Sequence, residues 1–479
     1  MRKRLGVVLL VLGFTGCAVG PKYKRPNIPA PDKYYTETAP QPESIADLGW
    51  WEIFKDPVLQ DLIREALKNN YDVQIAASRV EQARAQAGIS RSYYFPQIGY
   101  GIDVTGLRLP VPFERSDTYY GYNFSLSWEL DLWGRIRRLN EQQRALFFAS
   151  HEVQRGVWLS LVSDVAQAYF ELRALDAQLQ IAKDTGVSFQ DSYTLFNKRL
   201  EHGYATGLET SRAEAAMTNV LAQVPDLERQ ITAKENQISI LLGKNPGPIT
   251  RGASLADQHD LDVVPAGLPS TLLERRPDLR QNEQQLVSAN AAVGVAKANF
   301  FPVLSLTALL GGVSPQLSGL VSSGTRWFAS GGLAGPLFTG GRLRSQYRAA
   351  WAQQNQAQLS YQQSVIQAFG EVSTALSAHQ KLAESLRSES QSVTAYQESV
   401  RLSNLRYDSG LASYFEVIDA KLNLYPAQTA LVQYDLGRKV ALVNLYRALG
   451  GGWKMSDTDW MKSAAGTPTS GAPSPTANP

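Results

Sequence analysis

The amino-acid sequence predicts a mixed α/β membrane protein built from two internal repeats. Each chain is expected to give four strands to a twelve-stranded β-barrel shared by three copies. Three observations carry this expectation. The 479-residue chain is written twice at a nearly constant offset, it contains period-two segments as long as a transmembrane strand, and helical stretches far longer than globular ones follow them.

The repeat is legible in short matching segments. Phe95-Pro96 recurs as Phe301-Pro302, 206 residues on. Gly203-Tyr204-Ala205-Thr206 recurs as Gly410-Leu411-Ala412-Ser413, and Leu242-Gly243 as Leu449-Gly450, both 207 residues on. One residue of drift means matched element lengths. Each unit reads as helix, β-hairpin, very long helix, helix, with the first repeat at 57–247 and the second at 268–452. A segment at 17–56 precedes them and one at 453–479 follows.

Residues 1–16 have the layout of a secretory signal, with Arg2, Lys3 and Arg4 ahead of an apolar stretch from Leu5 to Phe14 that is too short to span a bilayer. The sole cysteine, Cys17, follows at once. Phe14-Thr15-Gly16-Cys17 resembles a bacterial lipobox, whose thiol takes a diacylglycerol and whose new N-terminus is acylated; Phe14 stands where Leu is usual. Two acyl signals make anchoring stable where one is marginal. Ala18, rather than Asp, at the next position resembles lipoproteins sorted to the outer membrane. The acyl groups on Cys17 are the only modification expected, and no cofactor is.

Composition excludes several classes. Cleavage before Cys17 removes three of 47 basic residues and leaves 44 against 44 acidic ones, which gives no footprint for nucleic acid. A mean hydropathy of −0.23 and the lack of any eighteen-residue apolar run argue against a helical membrane protein. His151, His202, His259 and His379 lack metal-ligand spacing, and Met217, Met455 and Met461 offer no soft-metal path. No phosphate-binding loop, nucleophile elbow or metal motif occurs, so no enzyme is predicted.

Tyr120, Tyr122, Phe124, Leu126, Trp128 and Leu130 alternate with Gly121, Asn123, Ser125, Ser127 and Glu129, giving one apolar and one wet face. Upstream, Ile98, Tyr100, Ile102 and Val104 alternate likewise, and Arg108 to Asp117 is expected to be the loop of a hairpin. The second copy supplies Val303 to Gly312 and Arg326 to Leu337. A soluble half-buried sheet would alternate in the same way; the exported context and aromatic outer faces favour the membrane. Four strands cannot close a barrel and lipid does not tolerate open edges, so copies must pool strands. Three chains give twelve strands and room for a lumen.

From Trp133-Gly134 to about Leu200 no proline interrupts a helical pattern, which at 1.5 Å per residue is about 100 Å. Val157, Leu161, Val165, Ala168, Leu172, Leu175, Leu179 and Ala182 approach a heptad seam, repeated by Val365, Phe369, Val372, Leu376, His379, Leu382 and Leu386. His379, in the place of Leu172, is expected to be a packed core residue. Gly203 and Gly410 suit left-handed helix ends. Thr206-x-x-Glu209 and Ser413-x-x-Glu416 have capping-box spacing and start return helices, in which Pro225 and Pro426 are expected to make kinks. Residues before about Asp47 are Pro-rich and expected to be extended, and the tail from Ser463 to be disordered.

With these features stands a set of specific motifs: Val19-Gly20-Pro21 through Arg25-Pro26, Trp50-Trp51 with Phe54-Lys55-Asp56-Pro57, Leu272-Leu273-Glu274-Arg275-Arg276-Pro277-Asp278, and Arg406-Tyr407 with Gly410, Ala412 and Ser413. Together they resemble the outer-membrane factors of the TolC type, most closely the acylated OprM-like branch of tripartite RND efflux systems, from Cys17 to about Trp453. The resemblance implies a trimeric twelve-stranded transmembrane β-barrel continued by a long periplasmic α-helical barrel. It further implies a passive duct that docks on a periplasmic adaptor protein and an RND-type inner-membrane pump.

By the same resemblance the hairpin tips, at Gly203, Ala205, Thr206, Gly410, Ala412 and Ser413, meet the adaptor. The periplasmic gate falls on Tyr407, Phe415, Glu416 and Asp419. Asp419 and Glu416 match acidic positions, Phe415 an apolar constriction and Tyr407 a tyrosine of the closing network. Ala412 replaces a gate Arg and Asp408 replaces a basic residue, so the locking contacts must differ. Glu416 and Asp419, three apart, share a helix face; three copies of Asp419 would favour cations and resist full ionisation. Glu416 has a competing role as the capping-box acid, Asp419 as part of a solvated face and Phe415 in ordinary packing. A type I protein secretion channel and a structural coiled-coil lipoprotein remain alternatives.

Overall fold

A computed structural model describes residues 18–35, 43–109, 115–258, 264–322, 325–452, 454–456 and 458–460. The signal segment, Cys17 and the tail from Ser463 lie outside the described residues. Helices α1 (Trp50–Ile53), α2 (Pro57–Asn69) and α3 (Tyr71–Ser92) lead into strands β1 (Gln97–Leu109) and β2 (Arg115–Leu130). Then come α4 (Arg135–Glu201), α5 (Gly207–Leu221) and α6 (Gln223–Leu241). The second half runs α7 (Leu272–Arg275), α8 (Pro277–Ala298), β3 (Val303–Ser314), β4 (Arg326–Ala334), α9 (Arg342–Asp408) and α10 (Tyr414–Ala448).

The repeat is exact in its long elements. Helices α4 and α9 each hold 67 residues, and both ends of α9 lie 207 positions beyond those of α4. Helices α3 and α8 each hold 22. The pair α5–α6 and the single α10 cover the same span at the same offset, but the first is broken at Ala222. The prolines explain the difference in part. Pro225 can make no bond to the carbonyl of Leu221 and its ring crowds it, and α5 ends at Leu221. The kink expected at Pro225 is therefore a break three residues earlier. Helix α10 runs unbroken through Pro426.

By spatial contact the chain forms two compact units, each drawing on both repeats. One comprises the chain up to Ile28 with Ser78–Glu152 and Leu279–Ser364; the other comprises Pro29–Ala77, Val153–Asp278 and the chain from Val365 onward.

The first unit contains the sheet, antiparallel in the order β1-β2-β3-β4. The register puts Ile98, Leu126 and Ala308 in one row and Tyr100, Phe124 and Leu310 in the next, so most apolar residues of the four strands share one face, while Leu309, Val313 and Phe328 fall on the other. Three strand limits differ from expectation, the smallest at β3, which runs to Ser314 rather than Gly312. The first hairpin extends to Leu109 paired with Arg115, so the loop shrinks from Arg108–Asp117 to residues 110–114, outside the described residues. Backbone pairing continues there after side-chain alternation has faded. Strand β4 ends at Ala334 rather than Leu337, because Pro336 has no N–H to give the ladder and a side chain at Gly335 would press on Pro302.

Below the strands the motif residues act as fasteners. Trp133 stacks on Phe301 at 4.7 Å and donates its indole N–H to Pro302 O at 2.8 Å. Val19 N donates to Trp133 O at 3.0 Å, and Tyr23 and Arg25 both reach Glu283, at 3.1 and 2.8 Å. Gly20, at φ +106°, has no room for a side chain against Gly294.

The second unit is helical. On α4, Leu161, Val165, Ala168, Leu172 and Ala182 are buried, while Val157, Leu175 and Leu179 are half-buried. On α9, Val365, Val372 and His379 are buried, and the remaining seam residues are half-buried. Asp56 caps α2 and accepts from Tyr169 Oη at 2.9 Å and Gln258 Nε2 at 2.6 Å. Arg276 is buried and forks onto Asp278 at 3.0 and 2.7 Å. It also reaches Glu371 at 2.6 Å and Ala448 O at 3.0 Å, binding the start of α8 to α9 and α10.

Candidate functional site at the helical tips

Both long helices end in the same way because both end in glycine. Gly203 and Gly410 have φ of +74° and +73°, which an L side chain resists, and no neighbour lies where a Cβ would sit. The following residues close the helix with two reversed bonds: Gly203 N to Leu200 O and Tyr204 N to Arg199 O, then Gly410 N to Tyr407 O and Leu411 N to Arg406 O. This is the Schellman pattern, and it turns the chain sharply into the return helix. Tyr204 and Leu411 follow the glycines at equivalent positions and are 84% and 72% exposed.

The N-caps differ. At Thr206 the capping box forms, with Glu209 N donating to Thr206 Oγ1 at 3.4 Å and Thr206 N to Glu209 Oε2 at 2.8 Å. At Ser413 the expected box does not form, because Ser413 makes no side-chain cap bond and Glu416 takes Arg406 at 3.2 Å instead. Arg406 stands at the same place in the second tip as Arg199 in the first, and Arg199 points elsewhere.

Arg199 donates to Tyr407 Oη and lies over its ring at 5.3 Å. Tyr407 meets Tyr414 edge-on at 4.8 Å, and Tyr414 packs on Phe196 at 4.6 Å. The hydroxyls of Tyr414 and Ser192 are 2.6 Å apart. Since Ser192 gives its proton to Ser188 O at 2.8 Å, Tyr414 donates to Ser192. Lys421 Nζ also reaches Ser192 Oγ, at 3.5 Å. Burial lowers the Lys421 ammonium below its ordinary range, and Asp191 partly opposes that shift. Around this chain Phe189, Ala213, Ala216, Val220, Val417 and Ile418 form an apolar core joining both tips, with Ala205 at its edge.

The four expected gate residues thus divide. Tyr407 is half-buried within the network, whereas Phe415, Glu416 and Asp419 lie on the exposed face of α10. Phe415 is 53% exposed beneath the Arg212 guanidinium at 5.0 Å, and Asp419 accepts from Asn423 Nδ2 at 3.3 Å. Phe415, Asp419, Leu422 and Pro426 form one exposed stripe at helical spacing. Of the tip residues, Gly203, Thr206, Gly410 and Ser413 are exposed, while Ala205 and Ala412 are half-buried. Sequence reading missed Arg199, Ser192, Tyr414, Lys421 and Arg212. A signal existed for Tyr414 only, as an aromatic on the inner face of the first turn.

An aromatic and cationic chain that ties two reversed helix ends together is a latch between tips. The family model described as outer membrane efflux protein matches residues 62–244 and again 268–451. The chain belongs to the outer membrane efflux protein family. Within that family it is similar to the solvent efflux pump outer membrane protein SrpC of Pseudomonas putida, at 36% identity over 461 residues, 94% of this chain and 97% of that one. The "probable outer membrane lipoprotein SilC" of Salmonella typhimurium is 32% identical, covering 91% and 96%. Among solved structures of such efflux proteins, the open state of the Neisseria gonorrhoeae MtrE outer membrane channel superposes with a TM-score of 0.83 at 30% identity, over 91% of this chain and 99% of that one.

Proposed function

We propose that this protein is the outer-membrane exit duct of a tripartite efflux pump. It passes drugs or other small toxic compounds outward passively from an RND-type inner-membrane pump and a periplasmic adaptor. One observation carries the reading: all four strands present a common apolar face, and the outer edges of β1 and β4 have no strand partner among the described residues. Lipid requires those edges to pair, and a homotrimer pairs them as a closed twelve-stranded barrel with a lumen. The solvent-efflux name of SrpC and the channel named in the MtrE structure support the same reading.

In this account the acyl chains sit on Cys17, a reading supported by the lipobox-like segment and by the lipoprotein name of SilC. The long helices continue the barrel through the periplasm as a helical barrel. The tips at Gly203, Ala205, Thr206, Gly410, Ala412 and Ser413 receive the adaptor, with Tyr204 and Leu411 as exposed apolar contacts. The stripe of Phe415 and Asp419, in three copies, narrows the periplasmic mouth, with Glu416 beside it and Tyr407 holding the tips closed. The duct does no chemistry, and the pump supplies the energy.

Purified trimer in planar bilayers tests this. Asp419→Ala combined with Phe415→Ala should raise single-channel conductance above wild type. Unchanged, low conductance in the double variant would remove the gate assignment, and a wild-type protein that passes no ions under any condition would remove the duct.

A further inference from the structure

Where α10 ends and α8 begins, the helix wall holds a pocket. Arg276 donates to Ala448 O and joins the two helices, and α4 and α9 line the pocket beside them. Gly437, Ala441 and Ala448 of α10 make a low floor, with Leu159 of α4 and Leu382 of α9 as apolar walls. The volume is about 710 Å³, the size of a small-molecule site. All of the lining belongs to the second compact unit, so one chain builds the whole pocket. Its mouth faces away from the segments that cover these helices. Trp158 of α4 packs against Trp460, and Tyr446 of α10 donates to Leu48 O. Each stands on the opposite side of its helix from a lining residue, Ser160 or Asn444.

The polar groups of the lining favour one charge. The Arg276 guanidinium is nearly saturated: Asp278 takes it through both oxygens, and Glu371 and Ala448 O take one further nitrogen. Arg447 turns to Asp164 at 3.5 Å. Neither guanidinium is left to grip an anion. Glu371 gives one oxygen to Arg276 at 2.6 Å, and its other oxygen has no partner among the described residues. With Asp278 already matched to Arg276, Glu371 is the surplus charge. The side chains of Ser160, Thr374 and Asn444 add polar groups around it.

The next copy in a trimer brings no cation to Glu371. Glu371 lies 207 positions beyond Asp164 and is its counterpart in the second repeat. The Asp164 partner, Arg447 of α10, has as its own counterpart Ile240 of α6, again 207 positions away. In a ring of alternating repeats, α6 of the next copy meets α9 as α10 meets α4 within the chain. An isoleucine, 66% exposed in the single chain, therefore arrives where an arginine stands in the first repeat. We propose that this pocket binds amphiphilic organic cations, with the apolar body on the floor and walls and Glu371 as counter-ion. The proposal rests on the duct reading, in which the mouth opens on the lumen, and it gives the duct three equivalent holding points.

The test uses the full-length trimer in phosphatidylcholine nanodiscs with ethidium as probe and empty nanodiscs as reference. Fluorescence titration should show saturable binding, and photoactivated ethidium monoazide should label peptides containing 156–160, 371–382 or 437–448. Glu371→Gln keeps an acceptor for Arg276 but removes the charge, and should weaken binding about tenfold. Thr374→Trp fills the mouth, leaves the Arg276 contacts in place and should abolish labelling there. Neutral phenanthridine should bind wild type about tenfold more weakly than ethidium, a comparison that decides the matter if a variant fails to assemble. Absence of saturable binding, label confined to other peptides, or label undiminished by Thr374→Trp would overturn the proposal. Wild-type affinity in Glu371→Gln, or equal affinity for phenanthridine, would overturn the cationic class. Conductance of the same preparation separates the two readings: a normal channel without this site defeats only the present proposal, and a preparation that passes no ions defeats the duct.

Discussion

Tyr407→Phe isolates one bond of the latch. It deletes the hydroxyl that accepts from Arg199 and keeps the ring, so the edge-on contact with Tyr414 at 4.8 Å and the guanidinium at 5.3 Å persist. The net worth of such a bond in a half-buried site is about 1.4 kcal/mol, or tenfold. If the contact breaks when a protomer's tips separate, that is the shift per protomer. Three protomers opening together multiply it, to about 4 kcal/mol or a thousandfold in the closed-to-open ratio. The assay is open probability of single trimers in planar bilayers at fixed salt and voltage, with the melting midpoint as a control for global damage. Open probability should rise steeply while unit conductance, which the proposed function assigns to the stripe of Phe415 and Asp419, changes little. Open probability equal to wild type, in a variant whose melting is also unchanged, would refute the latch.

Two further outcomes follow from the tips. Thr206→Ala removes a formed capping box and should cost about 1 kcal/mol at the start of α5, whereas Ser413→Ala removes no side-chain bond and should cost about 0.3 kcal/mol or less at the start of α10; amide exchange in the two first turns reads the difference, and equal losses would contradict it. Burial holds Lys421 below its ordinary 10.5, so between its folded value and 10.5 the unfolded tip binds more protons than the folded one, and tip stability should rise as pH climbs through that window. Lys421→Met should flatten that rise in exchange rates at the tip, and an identical slope in both proteins would show that another group is responsible.

Much of the fold could be read from spacing alone, because long elements repeat their physical constraints many times. Period two in Tyr120–Leu130 and the proline-free run to Leu200 each involve many residues that agree, and the structure follows them closely. Element ends rest on few residues and were read less well. Alternation fades beyond Val104, yet β1 continues to Leu109, since backbone pairing needs no particular side chain. The candidate site was legible where a local rule governs it: Gly203 and Gly410 reverse the helices, and Thr206 with Glu209 makes a box. Ser413 with Glu416 has the same spacing, but Arg406, ten residues before Glu416, captures its carboxylate. Of the latch only Tyr407 was legible, through the family resemblance, and its partners were not. Arg199 and Tyr407 are 208 positions apart, as Ser192 and Tyr414 are 222 apart, and nothing local announces either meeting.

The central claim is that β1 of one copy pairs with β4 of the next. Within a chain β2 and β3 separate these edges, too far apart for a disulfide, whose Cα atoms must lie within about 7 Å. Cysteines placed pairwise at Tyr100 or Ile102 on β1 and at Trp327 or Ala329 on β4, in a Cys17→Ser background, should therefore cross-link only between chains. The account predicts a gel ladder of one, two and three chains that stops at three. A ladder continuing past three, or no cross-link from any pair, would contradict it.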